Sequence, residues 1–339
     1  MKYKDKHHSN YQLFNRKLIL FTSKFTEFGL FLGQNIKTMK NLNLLFVSLL
    51  FAALLGCQPP KTSMPEKDGN NFSFIFATDI HITEERNATE GFLQAIDTIN
   101  KLAPDFVLTG GDNIMDALGQ TYGRSDTLYN LYAETVKNIN APVYNTMGNH
   151  EVFGLYERSG VAPSHEEYGK KLYENRIAER YYSFDHKNWH FIVLDGIGFT
   201  EDRRYYGYID SVQVEWLKQD LAKTGKETPV AVSTHIPLLS VGEQIMVGPT
   251  EAFGQGSIIT NAHEIIEILE QYNVKLVLQG HLHFLEDIRY NGIHYITGGA
   301  VSSNWWKGTR YGMEEGFVKV DVSDDDFDWK YIDFGWEVN

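Results

Sequence analysis

The sequence predicts an α/β fold in which short buried strands alternate with amphipathic helices. Apolar runs of strand length, rich in β-branched and aromatic residues, recur along the chain, and helical apolar spacing lies between several of them. In addition, a short polar cluster directly follows five of these runs. Because open α/β sheets carry their sites just beyond the carboxyl ends of the strands, we expect all five clusters at one edge of the molecule.

The five strands that precede the clusters are predicted first, in chain order. They span residues 72–78, 105–109, 142–147, 229–233 and 274–278. Further strands are predicted as hairpins at 181–194, around the turn dipeptide Asn291-Gly292, and across the acidic turn 324–326. We expect the hairpin histidines, His186, His190 and His294, to be structural.

Apolar residues at helical spacing predict three helices between these strands. The repeats are Phe92, Leu93, Ile96, Ile99 and Leu102, then Trp216, Leu217 and Leu221, then Ile265, Ile266, Ile268 and Leu269. Asn261 and Glu264 fit the start of the third helix as a capping-box-like pair.

The polar clusters supply carboxylates, an amide and imidazoles. They are Asp79-Ile80-His81, Gly111-Asp112-Asn113, Gly148-Asn149-His150-Glu151, Ser233-Thr234-His235 and Gly280-His281-Leu282-His283. Manganese, iron and zinc bind this mixture of hard and borderline ligands. No cluster contains a cysteine, so a structural zinc site built from thiolates is excluded. A lone histidine at a strand end is most often structural, but five clusters in order predict a metal site.

The order of the clusters, D-x-H, G-D, G-N-H-E, H and G-H-x-H, resembles that of the calcineurin-like metallophosphoesterases, with all five blocks intact. The resemblance implies one domain over residues 72–339, folded as a two-sheet β-sandwich flanked by helices on both outer faces. It also implies metal-dependent hydrolysis of a small phosphomonoester or phosphodiester, with hydroxide activated by two metal ions as the nucleophile.

The resemblance further implies two sets of metal ligands that share one bridging residue. The first set is Asp79, His81 and His283, the second is Asn149, His235 and His281, and the bridge is Asp112. Two divalent ions of manganese, iron or zinc held in this way clamp the attacking and leaving oxygens of an in-line displacement at phosphorus.

Two more residues are implied to act on the substrate side of the metals. His150 resembles the family's non-ligand histidine, which stabilises charge on the phosphoryl group or protonates the leaving oxygen. In the protein phosphatases of this family, an Asp-Arg pair follows the G-D block, and its aspartate orients the histidine. In this chain the corresponding aspartate, Asp116, lies one residue further along the sequence, and no arginine follows it. We therefore expect Asp116 to support His150, and the missing arginine argues against protein phosphoserine as substrate.

Purple acid phosphatases are a related group that the sequence argues against. They use a tyrosine ligand in the second block and lack the histidine of D-x-H, whereas this chain has His81 and no such tyrosine. A ferric-tyrosinate centre is therefore not expected.

Substrate choice is expected to depend on loops at 122–137, 156–180 and 302–306. In the last of these loops, Trp305 and Trp306 would either stack on a base or sugar or cap the core.

The N-terminal region predicts export. Residues 39–56 combine a basic start, an apolar stretch and small residues, as in a secretory signal. Leu54-Leu55-Gly56-Cys57 resembles a bacterial lipobox, which implies a lipid on Cys57 and an extracytoplasmic, membrane-anchored protein facing the periplasm or the cell surface. A short transmembrane anchor is the alternative.

The segments on either side of this signal have different characters. Residues 57–71 are a Pro-rich polar tether. Residues 1–38 fit no such segment, and we expect translation to start at Met39.

The net charge argues against nucleic-acid binding. The chain has 31 Lys and Arg against 44 Asp and Glu, a net charge of −13. Residues 1–56 hold eight of the basic and two of the acidic residues, so 23 basic and 42 acidic residues, a net charge of −19, remain after their removal. Binding to nucleic acid requires a basic footprint, which this composition does not provide.

Two alternatives to a general phosphoesterase stay open. A 3′,5′-cyclic-nucleotide phosphodiesterase is one, because the family members with D-x-H and G-N-H-E or G-N-H-D blocks include that branch. The other is a surface lipoprotein that keeps the fold and binds without turnover. A lost ligand would indicate that second alternative, and all seven implied ligands are present.

Overall fold

The computed structural model describes residues 69–338. The predicted extension 1–38, the signal 39–56, Cys57 and most of the tether lie outside the described residues. Within the described part, the strands form a five-stranded sheet, a six-stranded sheet and a two-stranded ribbon. No helix among residues 69–338 is both long enough and apolar enough to cross a membrane.

The first sheet contains the three strands that precede the first three polar clusters, and its order is β13-β12-β1-β2-β3. Strands β1, β2 and β3 are parallel, while β12 is antiparallel to β1 and to β13. The strands are β1 (Phe72–Ala77), β2 (Phe106–Thr109), β3 (Val143–Tyr144), β12 (Gly316–Ser323) and β13 (Asp326–Asp333). The predicted strand 142–147 therefore pairs over only two residues.

The second sheet contains the strands that precede the last two clusters, and its order is β10-β11-β9-β8-β5-β4. The four central strands are parallel, and the edge strands β4 and β10 are antiparallel to their neighbours. The strands are β4 (Tyr182–His186), β5 (Trp189–Leu194), β8 (Val230–Thr234), β9 (Val274–Gln279), β10 (Leu285–Tyr290) and β11 (Ile293–Gly298). Strands β6 (Ile197–Phe199) and β7 (Tyr205–Gly207) form the ribbon.

Six α-helices lie within the described residues, and three of them are the predicted ones. They are α1 (Ala88–Leu102), α2 (Tyr122–Thr135), α3 (Lys171–Arg176), α4 (Ser211–Thr224), α5 (Gly242–Met246) and α6 (Ala262–Leu269). The predicted capping pair of α6 is wrong. The Asn261 side chain accepts a hydrogen bond from the N–H of Ile209 and donates one to its carbonyl, so it is committed to a neighbouring segment.

Two apolar layers hold the sheets and helices together. Because side chains alternate along a strand, Phe74 of β1 faces the other sheet and stacks on Phe106 with ring centroids 4.9 Å apart, whereas Ile75 packs beneath the helices with Ile96 of α1. The second sheet alternates in the same way, with Phe191 between the sheets. The predicted two-sheet sandwich with helices on its outer faces is confirmed.

Candidate metal centre

All five polar clusters meet at one edge of the sandwich, where the carboxyl ends of β1, β2, β3, β8 and β9 lie. We call this edge the rim. Backbone hydrogen bonds join the clusters: the N–H of Asp79 donates to the carbonyl of Gly111 at 3.0 Å, and the N–H of Gly280 donates to the carbonyl of His235 at 2.9 Å. The N–H of His281 donates to the Asp79 carboxylate at 2.9 Å, which links the two sheets. The clusters therefore share one rim, as predicted.

The side chains of the rim form two groups whose candidate ligand atoms lie within 4.8 Å of one another. The groups are Asp79, His81 and His283, and Asp112, His235 and His281. Asp112 Oδ2 lies 3.1 Å from His235 Nε2 and 3.7 Å from His81 Nε2, so this carboxylate reaches both groups. These groups contain six of the seven implied ligands, including the implied bridge Asp112, and their binding of metal stays a prediction.

The rim contains polar atoms that fit divalent metal ions. Among the described residues, Asp79 Oδ1 and Asn149 Oδ1 are buried without a hydrogen-bond partner. Asp79 Oδ2, by contrast, accepts from the hydroxyl of Thr78 at 2.6 Å. His81 Nε2 and His283 Nε2 lie 3.0 Å apart, on the side of His81 that faces Asp79 and Asp112. A buried oxygen without a partner costs about 1–3 kcal/mol, a cost that a coordinated cation removes.

Backbone carbonyls orient several of the imidazoles. His235 Nδ1 donates to the carbonyl of Gly110 at 2.7 Å, and His283 Nδ1 donates to the carbonyl of Ser303. Since a carbonyl only accepts, both Nδ1 atoms carry protons, and the Nε2 atoms are the ones that face the carboxylates of the rim. A carbonyl partner on the far nitrogen is the usual support of a metal-binding histidine.

Burial and neighbouring charges set the protonation of the rim. Burial lowers the pKa of His81 to about 4, and burial together with His235 lowers the pKa of His281 to about 3, so both are neutral near pH 7. Burial alone would lower the pKa of His235, but Asp112 outweighs it and raises that pKa to about 9. Burial would raise the pKa of Asp79, yet the nearby His283, His81 and His235 hold that pKa well below its usual range.

Most of the implied ligands have a left-handed backbone, which L-residues rarely adopt. Five of the seven have positive φ: Asp79 (55°), His81 (48°), Asp112 (52°), His281 (71°) and His283 (51°). Each such residue costs about 1–3 kcal/mol, and outliers of this kind concentrate at functional sites. The implied ligands thus account for five of the sixteen described non-glycine residues with positive φ.

Two glycines of the clusters are required by close approach. A Cβ at Gly148 would lie 2.2 Å from Asp112 Oδ1, and a Cβ at Gly280 would lie 2.0 Å from Thr78 Oγ1 and 2.7 Å from Asp79 Oδ2. Carbon atoms cannot approach polar atoms this closely. The glycines of G-N-H-E and G-H-x-H therefore allow the carboxylates of the other clusters to come near the backbone.

His150 lies beside the two groups, and its support differs from the prediction. Its N–H donates to Asp112 Oδ1 at 2.8 Å, and its Nδ1 donates to the carbonyl of Met115 at 2.5 Å. Asp116 Oδ1 is 3.9 Å from His150 Nδ1 and accepts instead from the N–H of Leu118. The expected orienting hydrogen bond from Asp116 is therefore not formed, because its carboxylate binds the loop that follows it.

The position of His150 also allows a second interpretation. His81, Asp112 and His150 form a third group with ligand atoms within 4.8 Å of one another. His150 Nε2 lies 3.8 Å from Asp112 Oδ2, and its side chain is 25% exposed. The geometry by itself therefore permits His150 either to contact a phosphoryl group or to bind a metal.

Glu151 is a residue of the rim for which the sequence indicated no role. Its buried carboxylate accepts four backbone hydrogen bonds, from Gly148 (2.7 Å), Asp112 (3.0 Å), Asn113 (2.7 Å) and Ile114 (3.1 Å). Burial first, and the charge of Asp112 second, raise the pKa of Glu151 to about 7. Glu151 holds the second cluster against the third and so positions Asp112. Its place in the G-N-H-E block was the only available signal.

The rim opens into a cleft of about 270 Å³. Besides residues of the clusters, it is lined by Tyr205, Glu243, Met246, Val247, Ser257, Trp305, Arg310 and Tyr311. Of the three loops expected to select substrate, only 302–306 contributes, through Trp305. Trp306 is buried and donates from its indole to the carbonyl of Ile80 at 2.9 Å, so it belongs to the core.

Comparisons with known proteins agree with this geometry. The family model described as calcineurin-like phosphoesterase matches residues 72–285. A probable cyclic nucleotide phosphodiesterase of Xenorhabdus bovienii is 24% identical over 262 residues, covering 73% of this chain and 94% of the relative. A 3′,5′-cyclic adenosine monophosphate phosphodiesterase of Haemophilus influenzae is 25% identical over 226 residues, which cover 63% of this chain and 71% of that relative.

The fold has a counterpart among solved structures. A dimetal phosphatase from Danio rerio superposes with a TM-score of 0.57 at 16% identity, covering 78% of this chain and 96% of the other. At that identity the likeness concerns the fold alone, and it agrees with the two-sheet sandwich described above.

Proposed function

Since the chain belongs to the calcineurin-like phosphoesterase family and is a hydrolase of phosphoric esters, we propose that it hydrolyses a small phosphodiester of the 3′,5′-cyclic-nucleotide class. The observation that carries the proposal is the pair of ligand groups that share Asp112 at the rim. Asn149 adds its buried, unpartnered amide oxygen to the group of His235 and His281.

The residues of the rim would hold two divalent ions, and their identities among manganese, iron and zinc are open. When bound, such ions stabilise negative charge on phosphoryl oxygens and make hydroxide available near neutral pH. The chain's own contribution is a neutral His81 and His281 and ionised carboxylates, all held in the form that binds cations.

His150 would serve the leaving group. Its Nδ1–H is committed to the carbonyl of Met115, so Nε2 is the ring atom free to exchange a proton with a substrate in the cleft. From there, His150 would stabilise a phosphoryl oxygen or protonate the leaving oxygen as the ester bond breaks.

Two observations favour a diester over a monoester. Both cyclic-nucleotide relatives named above are diesterases by name. In addition, Arg310 is the only Lys or Arg among the described residues that line the cleft, and Glu243 lies in the same lining. Beyond the proposed metal ions, the cleft then offers a single cationic side chain, which suits a singly charged diester better than a doubly charged monoester. Met246 and Val247 supply apolar surface for an organic group.

The test uses the purified full chain, stripped of metal and reloaded separately with manganese, iron or zinc. The substrates are 3′,5′-cyclic AMP and GMP, bis(p-nitrophenyl) phosphate and p-nitrophenyl phosphate. We expect the highest kcat/KM for a cyclic nucleotide. Preference for the monoester would replace the diester proposal, and the absence of hydrolysis with every metal would contradict the catalytic proposal altogether.

We also propose that the enzyme works outside the cytoplasm, anchored by a lipid on Cys57. The proposal rests on the signal-like stretch 39–56 and the lipobox-like ending at Cys57. An alkyne fatty acid fed to bacteria that express the chain should label the parent and not a Cys57→Ser variant. Equal labelling of both proteins, or recovery of unlabelled parent in the cytosol, would contradict it. Peptides from residues 1–38 in the native protein would contradict translation from Met39.

A further inference from the structure

The loop between β11 and β12 brings an arginine into the metal cleft without giving its side chain a polar partner. Arg310 is half-buried and lines the cleft together with ligands of both groups. Among the described residues, its guanidinium makes no ion pair and no hydrogen bond. Arginine donates from five N–H groups, so its donors are available to a ligand in the cleft.

Aromatic contacts position this guanidinium. The Arg310 Cζ atom lies 4.6 Å from the ring centroid of Trp305 and 5.1 Å from that of Tyr311. Trp305 in turn lies 4.4 Å from the ring of His283 and 5.9 Å from that of His81. Arg310 is therefore linked, through one indole, to the ligand group that contains Asp79. Cation–π contacts hold a guanidinium plane without consuming its N–H donors.

The backbone of the same loop is fixed in several places. Arg310 and Met313 exchange backbone hydrogen bonds at 3.1 and 2.8 Å, and the side chain of Arg86 donates to the carbonyl of Trp305 at 3.0 Å. The Ser303 carbonyl is the acceptor for His283 Nδ1. Loop and metal ligand are thus one connected unit, and a side chain held in advance loses little entropy on binding.

We propose that Arg310 is a substrate-binding residue that contacts the anionic phosphoester from the side of His283, with Trp305 and Tyr311 as positioning residues. The inference rests on the proposed function, because it gives that function's substrate its cationic contact. Trp305 then supports Arg310 and does not serve as a platform for a base. Arginine suits the task because its planar fork matches the oxygens of a phosphoryl group.

The test measures both catalysis and simple anion binding in the Mn²⁺-loaded full chain. The variants are Arg310→Gln, which removes the charge, and Arg310→Lys, which keeps it. The control is Arg289→Gln, an exposed arginine on β10 that does not line the cleft. Calorimetric titration with inorganic phosphate gives a dissociation constant that does not depend on turnover, and metal content is measured for each protein.

We expect Arg310→Gln to weaken phosphate binding by about tenfold to a hundredfold, since hydrogen bonds to charged groups contribute on that scale. KM for the best ester should rise in parallel, with a smaller change in kcat. Arg310→Lys should retain part of the affinity, and Arg289→Gln should bind as the parent does. Unchanged phosphate affinity in Arg310→Gln would overturn the proposal.

The two proposals fail in different ways. If the parent hydrolyses no ester but Arg310→Gln still weakens phosphate binding, the proposed reaction is wrong and the anion contact stands. If the parent hydrolyses a cyclic nucleotide and Arg310→Gln changes neither phosphate affinity nor KM, the reaction stands and the role of Arg310 is wrong.

Discussion

Buried histidines face carboxylates in two regions of this molecule, and their protonation differs. At the rim, two carboxylates are shared among several imidazoles: burial keeps His81 and His281 neutral, whereas Asp112 raises the pKa of His235 to about 9 although burial opposes it. At the opposite end, near the start of β5, His190 alone lies between Asp185 (2.6 Å) and Asp220 (2.9 Å), whose hydrogen bonds raise its pKa although burial opposes them.

The difference shows that burial alone does not make a histidine a ligand. One imidazole between two carboxylates is stabilised as a cation, and a cation has no lone pair for a metal. At the rim, His235 lies nearest to the shared Asp112 (3.1 Å) and is stabilised as a cation, so metal binding there would release its proton. Burial prevails at His81 and His281, and these two neutral imidazoles distinguish the candidate metal centre from the ion pair at His190. The four predictions that follow test this separation, beginning with the largest expected effect.

Removing the shared carboxylate should abolish the rim's function. Asp112→Ala deletes the one side chain that reaches both ligand groups, so we expect loss of bound metal and a fall in kcat/KM of at least about 10³-fold. Metal analysis and steady-state kinetics measure both. Asp116→Ala is the matched control and should stay within about threefold of the parent, since its carboxylate makes no hydrogen bond to His150. Full activity in Asp112→Ala would sink the assigned site.

Removing the charge that organises the rim should cost stability. Glu151→Gln replaces an acceptor of four backbone N–H groups with an amide that carries its own N–H donors. We expect the free energy of unfolding in urea to fall by about 3 kcal/mol. The exposed Glu157→Gln, a few residues along the chain, serves as control and should match the parent. Equal stability of the two variants would mean that Glu151 does not organise the rim.

Replacing His150 should separate turnover from metal binding. His150→Ala is expected to lower kcat by about 10²-fold while metal content stays near that of the parent, because its Nδ1 is bonded to the carbonyl of Met115 and its side chain lines the cleft. Kinetics and metal analysis on the same sample decide this. Loss of one metal ion would instead make His150 a ligand, as the group with His81 and Asp112 allows.

The ion pair at His190 should depend on pH in the direction of a stabilised cation. Its folded pKa is raised, so its contribution is fully present below the unfolded pKa of about 6.5 and is lost as pH rises through the folded pKa. His190→Gln should lower the free energy of unfolding by about 1 kcal/mol at pH 6, a figure reduced for the exposure of Asp185, and by less at pH 9. The exposed His263→Gln should follow the parent at both pH values.

A pH-independent difference between His190→Gln and the parent would contradict the contrast between the two regions. Such a result would assign the contribution of His190 to packing and not to its charge.

Much of the fold and of the site could be predicted because each prediction depended on neighbours in the sequence. Strands β1, β2, β8 and β9 lie where their apolar runs stand, and β3 is the exception because its run leaves the sheet after two pairs. The predictions that failed concerned side chains for which both a near and a distant partner were available. Asn261 was expected to cap its own helix but binds Ile209, and Asp116 was expected to support His150 but binds Leu118.

The sequence by itself determined which side chains stand at the ends of which strands, because hydrophobic runs and the polar residues after them are local properties of the chain. Only the tertiary structure decided which of those strands share a sheet, that five of the implied ligands have a left-handed backbone, and that Arg310 reaches their cleft. These features come from hydrogen bonds and packing between segments far apart in the chain, and no local pattern encodes which of several chemically equivalent partners a residue will meet.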